Sequence, residues 1–247
     1  MFRKALMFIA VLAVTAGVAH ATPVAVDEIL FDSSSGVSPG LLSGTVDMSL
    51  LGNVLTITLT NTSADTAGSG AAILLTGIGF TLPNGVSIGS GTANMGSSTA
   101  VGFAKPLSGD VSSEWGYDNS PLNSGSFLSD GKFTYNTVVS SMTSQTEAKF
   151  ASGSIGQPLD LGGPDFGLVS GLENDGLGNG NEAIRSSIVV TLNLTGTVPS
   201  DLVTQIGLGK VGLSFGSPNN TNVPEAGTLS LLALGGCFVA SRRRQRS

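Results

Sequence analysis

Residues 45–60 read TVDMSLLGNVLTITLT, and their alternation decides the fold class. Val46, Met48 and Leu50 share one face of the first half. In the second half Leu55, Ile57 and Leu59 share a face, with Thr56, Thr58 and Thr60 opposite. Successive side chains of a strand point to opposite faces, so an apolar period of two marks a half-buried strand; a helix would repeat near 3.6. Gly52-Asn53 between the runs suits a two-residue hairpin turn. The stretch predicts a hairpin with one dry and one wet face.

The pattern spreads outward from there. In residues 185–194, Ile188, Val190, Leu192 and Leu194 alternate against Val189, Thr191 and Asn193, and residues 211–215 alternate again. Residues 71–82 are apolar almost throughout, which predicts a strand buried on both faces. Pro83-Asn84-Gly85 supplies a turn, and Asp130-Gly131 supplies another inside a hairpin expected over 127–135. Shorter strands are expected near 29–31, 86–88 and 166–169, and residues 89–106 read as a flat strand or loop. Residues 138–150 fit a strand or, through 144–150, a short helix. A helical turn over 201–206 would be capped by Ser200.

Thirty-five glycines, 6% aromatic residues and only 11% charged residues complete a turn-rich chain, against roughly 25% charge in an ordinary soluble domain. The class is all-β: an antiparallel β-sandwich or jelly-roll-like domain over residues 22–217.

Both ends of the chain differ from this middle. Arg3 and Lys4, the apolar run 5–18 and the small-x-small site Ala19-His20-Ala21 form a secretory signal peptide over residues 1–21, with Ala19 and Ala21 marking the cleavage site. A linker over 218–222 leads to VPEAGTLSLLALGGCFVASRRRQRS, residues 223–247. Its apolar run reads as a transmembrane helix over about residues 226–241, followed by a basic tail over 242–246. Such a helix spans about 20–25 Å at ~1.5 Å per residue, slightly short of the ~30 Å hydrocarbon core unless the arginines snorkel. Arginines after an apolar helix hold that end in the cytoplasm, which leaves the preceding domain outside.

The three-part tail resembles the PEP-CTERM sorting signal of Gram-negative bacteria. Members of that family carry Val-Pro-Glu-Pro, a small or hydroxyl residue, an apolar helix and a terminal arginine cluster. Val223, Pro224 and Glu225 match, as do Gly227-Thr228, the leucine-rich run and Arg242, Arg243 and Arg244. Ala226 stands where the family usually has its second proline. The resemblance implies signal peptidase and then exosortase as processing partners, transient anchoring in the inner membrane, cleavage near the Pro-Glu pair, and a final place at the cell surface or in the extracellular matrix. It covers about a tenth of the chain, so it concerns destination rather than activity.

Processing at both ends would strip the chemistry. The single histidine, His20, leaves with the signal peptide, and the single cysteine, Cys237, lies in the tail. The mature domain then lacks Ser-His-Asp and Cys-His catalysis, disulfides, His- or thiolate-ligated metals and haem ligation by either residue. No catalytic residue is expected. Five basic residues remain against sixteen acidic ones, so the net charge moves from −6 to −11. That charge repels phosphate backbones, and nucleic-acid binding is not expected.

Four internal patterns invite a chemical reading. Gly207-Leu208-Gly209-Lys210-Val211-Gly212 has dinucleotide-fingerprint spacing, but a strand follows where a helix must hold the pyrophosphate. Ser129-Asp130-Gly131-Lys132 has Ser-x-x-Lys spacing across a hairpin turn rather than on a helix. Glu173, Asp175 and Glu182, in a loop of acids and amides, offer the hard oxygen ligands that Ca²⁺ takes, though without EF-hand or β-roll spacing. No other cofactor is expected. Trp115 and Tyr117, two residues apart and flanked by Glu114 and Asp118, would share a strand face suited either to stacking on sugar or to filling a core. The leading expectation is an exported, non-enzymatic surface or matrix protein. The alternatives are a glycan-binding module in contact with extracellular polysaccharide, or a carboxylate-dependent polysaccharide hydrolase.

Overall fold

The computed structural model describes residues 21–31, 38–64, 70–101, 109–119, 135–141, 148–150, 167–170 and 183–216. The bulk of the expected signal peptide, the expected sorting tail, the expected Asp130-Gly131 turn with Ser129 and Lys132, and Glu173, Asp175 and Glu182 lie outside them. In chain order the elements are β1 (Thr22–Val24), β2 (Glu28–Leu30), β3 (Gly44–Leu51), β4 (Val54–Asn61), β5 (Leu75–Phe80), β6 (Ser87–Asn94) and β7 (Ala100–Val101). There follow β8 (Gly116–Asp118), β9 (Thr137–Ser140), β10 (Ala148–Lys149), β11 (Gly167–Val169), β12 (Ala183–Arg185), β13 (Ser187–Thr195), α1 (Leu202–Gly209) and β14 (Val211–Phe215).

The expected hairpin forms in the expected register. β3 and β4 pair antiparallel with Leu51 opposite Val54, and Gly52 supplies the positive φ of 59° that the tight turn demands. β4 then pairs with β13, and β13 with β6, giving a first sheet in the order β1-β3-β4-β13-β6. Val46, Met48, Leu55, Ile57, Leu59, Ile188, Val190, Leu192 and Leu194 are buried as the alternation predicts, while Leu50 is only partly covered.

The second sheet runs β10-β8-β9-β5-β11-β12-β7, with β14 joining β5 to β2. Leu75, Ile78, Phe80, Val139, Leu168, Ile184, Val211, Leu213 and Phe215 belong to the same buried cluster as the inner face of the first sheet. Two sheets over one core make the domain all-β and sandwich-like. Each such Leu, Ile, Val or Phe contributes about 1.5–3 kcal/mol by leaving water.

Several expectations need correcting. The sandwich is not antiparallel throughout: β11 pairs parallel with β12, and β2 with β14. Parallel neighbours need a connection of a dozen or so residues, and residues 170–182 provide one between β11 and β12. The apolar stretch 71–82 divides into a 3-10 turn (Gly70–Ile73) and β5, whose six residues are all buried. The 185–194 strand breaks at Ser186, which takes φ 69° and separates β12 from β13. β10 settles residues 148–149 as strand, and β6 extends to Asn94.

The helical turn is longer than expected and begins one residue later. Asp201, not Ser200, is the N-cap of α1, without a side-chain cap hydrogen bond. Leu202 and Ile206, four apart on one face, are buried and draw the helix onto the sheet. The glycine-spaced stretch 207–212 is thus the last turn of a helix followed by β14, so no helix N-terminus exists there to receive a phosphate. Among the described residues no helix is long and apolar enough to cross a membrane.

Candidate functional site

The aromatic segment singled out in the sequence lies on β8 and the residue before it. Trp115 is fully buried in the shared core. Its ring therefore offers no face to a sugar, which corrects its reading as a glycan contact. In a chain with a single tryptophan, the largest side chain is also the largest source of apolar burial, and the core takes it.

Tyr117 is only partly buried, and its partner is not Trp115. Its ring stacks on Phe150 with centroids 5.7 Å apart and planes at 22°. The Tyr117 hydroxyl donates to the carbonyl oxygen of Gly89 at 3.3 Å. Phe150 lies against Gly91, where any Cβ would run into the ring. No local pattern signals this pair, since Phe150 is 33 positions away and its neighbour Lys149 pairs with Gly116 only through β10. The flanking acids have local roles: Glu114 accepts from the Ser113 hydroxyl at 2.7 Å, and Asp118 is buried.

Together the 109–119 segment and Tyr117 seal the outer edge of β6. Asn119 brackets Ile88, accepting from its N–H at 2.8 Å and donating to its carbonyl at 2.8 Å. Val111 N–H donates to the Ala93 carbonyl, Ala93 N–H to the Ser112 hydroxyl, and Met95 N–H to the Gly109 carbonyl. An open edge strand would invite pairing with another chain, and this cover prevents it. Asp110 fixes the segment by accepting from Ser112 N–H at 2.9 Å. The Ser112 hydroxyl and then its backbone N–H hold the Asp110 carboxyl below the usual carboxylate range, against a smaller upward push from burial.

The outer face of the first sheet is of another kind. Its registers align four rows: Thr45, Thr60 and Ser187; Asp47, Thr58, Val189 and Asn94; Ser49, Thr56, Thr191 and Thr92; Leu51, Val54, Asn193 and Ser90. Every one of these side chains is exposed or partly exposed. The sequence placed Thr56, Thr58 and Thr60 on the wet side of one strand, but only the pairing of β4 with β13 and β13 with β6 builds the array.

Ala21, the last residue of the expected signal peptide, is exposed and directly precedes β1. Ala19 and the expected sorting residues Val223, Pro224, Glu225, Arg242, Arg243 and Arg244 lie outside the described residues. Among the described residues no three His, Cys, Asp or Glu side chains gather as a metal site. Comparison with protein-family models, curated proteins and solved structures found no match to this chain.

Proposed function

We propose that this protein is an exported, non-enzymatic component of the cell surface or extracellular matrix, sorted by its PEP-CTERM-like tail. The observation that carries the reading is the pairing of a signal-peptide pattern at residues 1–21 with the Val223-Pro224-Glu225, apolar, arginine-rich tail. The limits of the fold support it. β1 begins at Thr22, directly after the expected cut, and β14 ends at Phe215 with Gly216 N–H bonded to the Leu74 carbonyl. Residues 217–222 then separate the last strand from Val223. Every described strand therefore lies between the two expected cuts.

The processed domain is acidic and carries neither histidine nor cysteine. The precursor is held at the inner membrane first, and the processed domain resides at the cell surface or in the matrix afterwards. Intact-mass spectrometry of the exported protein tests this. The expected species begins at Thr22 and lacks Arg242, Arg243 and Arg244; a species that keeps these arginines makes the tail an uncut anchor and removes the sorting reading.

A further inference from the structure

We infer that Asn84 is a site of spontaneous deamidation and isoaspartate formation, and that the fold converts this one event into a loss of stability at the head of β6. The inference stands apart from the export reading, since its co-reactant is water alone.

Asn84 and Gly85 form an exposed turn between β5 and β6. Val86 N–H donates to the Pro83 carbonyl at 3.0 Å, and Gly85 takes φ 83° at the third position, the geometry of a type II turn. The chemistry needs two groups in reach of each other, the Asn84 side-chain carbonyl carbon and the Gly85 backbone nitrogen. Among the described residues neither the Asn84 amide nor the Gly85 N–H makes a hydrogen bond, and glycine puts no Cβ in the path of attack. The other described asparagines are restrained. Asn61, Asn119 and Asn136 hold backbone groups with their side-chain amides. Met95 and Leu194, which follow Asn94 and Asn193, have their N–H groups bonded to the Gly109 and Asn53 carbonyls. Asn53 is followed by Val54, whose branched side chain crowds its own nitrogen.

The reaction balances with water in and ammonia out. The Gly85 nitrogen loses its proton to hydroxide and bonds to Asn84 Cγ; the Cγ–Nδ2 bond breaks, and Nδ2 takes up a proton from water and leaves as ammonia. Water then opens the five-membered succinimide. Breaking its Cγ–N bond gives aspartate on the native backbone. Breaking the bond between main-chain carbon and nitrogen gives isoaspartate, in which the chain runs through Cβ and Cγ and is one carbon longer.

The fold accepts the first product and not the second. On one side of the turn Asn136 brackets Leu82, accepting from its N–H at 2.8 Å and donating to its carbonyl at 2.8 Å. On the other, Val86 is buried and Ser87 pairs with Thr195 of β13. Between these posts the Gly85 carbonyl oxygen lies against Gly196, so closely that a Cβ there would collide with it. Neither post can slide to absorb an added carbon, which therefore displaces Gly85 from Gly196 or breaks the Val86-Pro83 bond.

Ageing the full-length folded protein for days at neutral and at alkaline pH tests both halves, with peptide mapping that resolves isoaspartate from aspartate. Modification at Asn84 should run at least tenfold faster than at any other described asparagine, quicken with alkalinity and give isoaspartate as the larger product. Calorimetry of the aged protein should show a population melting at least about 3 °C lower, the scale of one lost contact in a domain of this length. Asn84→Gln, whose side chain would have to close a larger ring, should age without that population, while Asn179-Gly180 of the same sequence ages alike in both proteins. An intact Asn84 in the alkaline sample overturns the site, and modification of the urea-unfolded chain there would show that the fold protects it. A rate at Asn84 equal to that at Asn53 overturns it as well. Isoaspartate-bearing protein that melts with the fresh sample overturns the loss of stability.

Discussion

The side-chain amide of Asn61 donates to the carbonyl oxygen of Leu168 at 2.6 Å, tying the end of β4 in one sheet to the middle of β11 in the other. The same Nδ2 donates to the Ile73 carbonyl at 3.1 Å, and Oδ1 accepts from Ser63 N–H at 2.9 Å. Asn61 is buried, so truncation leaves three backbone groups without their partner. Asn61→Ala should lower stability by about 2–4 kcal/mol, since each orphaned buried group costs about 1–3 and some will find water. Asn61→Asp should be worse at neutral pH, because a carboxylate replaces the donor facing two carbonyls. Denaturant midpoints compare the two, and equal midpoints would refute the clamp. The Asn61-Thr62-Ser63 sequon is occupied by this clamp, so peptide mapping should find Asn61 unmodified.

Two glycines should respond to alanine in opposite directions. Gly196 follows β13 at φ 88°, and a Cβ there would collide with the carbonyl oxygen of Gly85. Backbone cannot move aside as a side chain can, so Gly196→Ala should cost more than about 3 kcal/mol or prevent folding. Gly207 sits in α1 without a positive φ, and its Cβ would meet Val24 Cγ1 at an ordinary 3.6 Å. Gly207→Ala should add about 1 kcal/mol through helix propensity. Thermal unfolding reads both.

Lys210 holds φ 90° and ψ 139°, a region that normally belongs to glycine and costs about 1–3 kcal/mol. Asp27 offsets part of this by bonding Lys210 Nζ at 3.0 Å and Val211 N–H at 3.0 Å. The ion pair is half exposed, with Lys210 at 49%, and such pairs contribute about 0.2–1 kcal/mol. Strain relief outweighs that loss. Lys210→Gly should match or exceed the wild type in stability, whereas Lys210→Ala, which keeps the strain and loses the pair, should fall below it. The reverse order in urea midpoints would show the backbone there to be relaxed.

Asp110 sets an acid dependence. Its folded carboxyl lies below its ordinary value because of Ser112, so its contribution is fully present above the unfolded pKa of about 3.9 and is lost as pH falls through the folded one. Asp110→Asn keeps an oxygen for Ser112 N–H but does not titrate. The stability gap between the wild type and this variant should narrow as pH drops below about 4 and stay constant above about 5. A gap that widens in acid would give Asp110 the opposite role.

The strands of the first sheet were legible because alternation is local. Leu55, Ile57 and Leu59 declare their face within five residues, and the core confirms it. The aromatic site was not legible in the same way. Trp115 and Tyr117 look equivalent along the chain, yet one fills the core and the other stacks on Phe150. The break at Ser186 carries no sequence signal either, since serine is not a residue that positive φ favours.

By itself the sequence determined the all-β class, the faces of β3, β4 and β13, and the low charge. Each of these depends on residue type and short-range spacing. Tertiary structure alone decided that β13 lies between β4 and β6, that two strand pairs run parallel, and that Asn61 reaches Leu168. It also turned single wet faces into one hydroxyl grid. The physical reason is common to all of them: pairing and packing join residues a hundred or more positions apart, and their energies depend on geometry that no local pattern encodes.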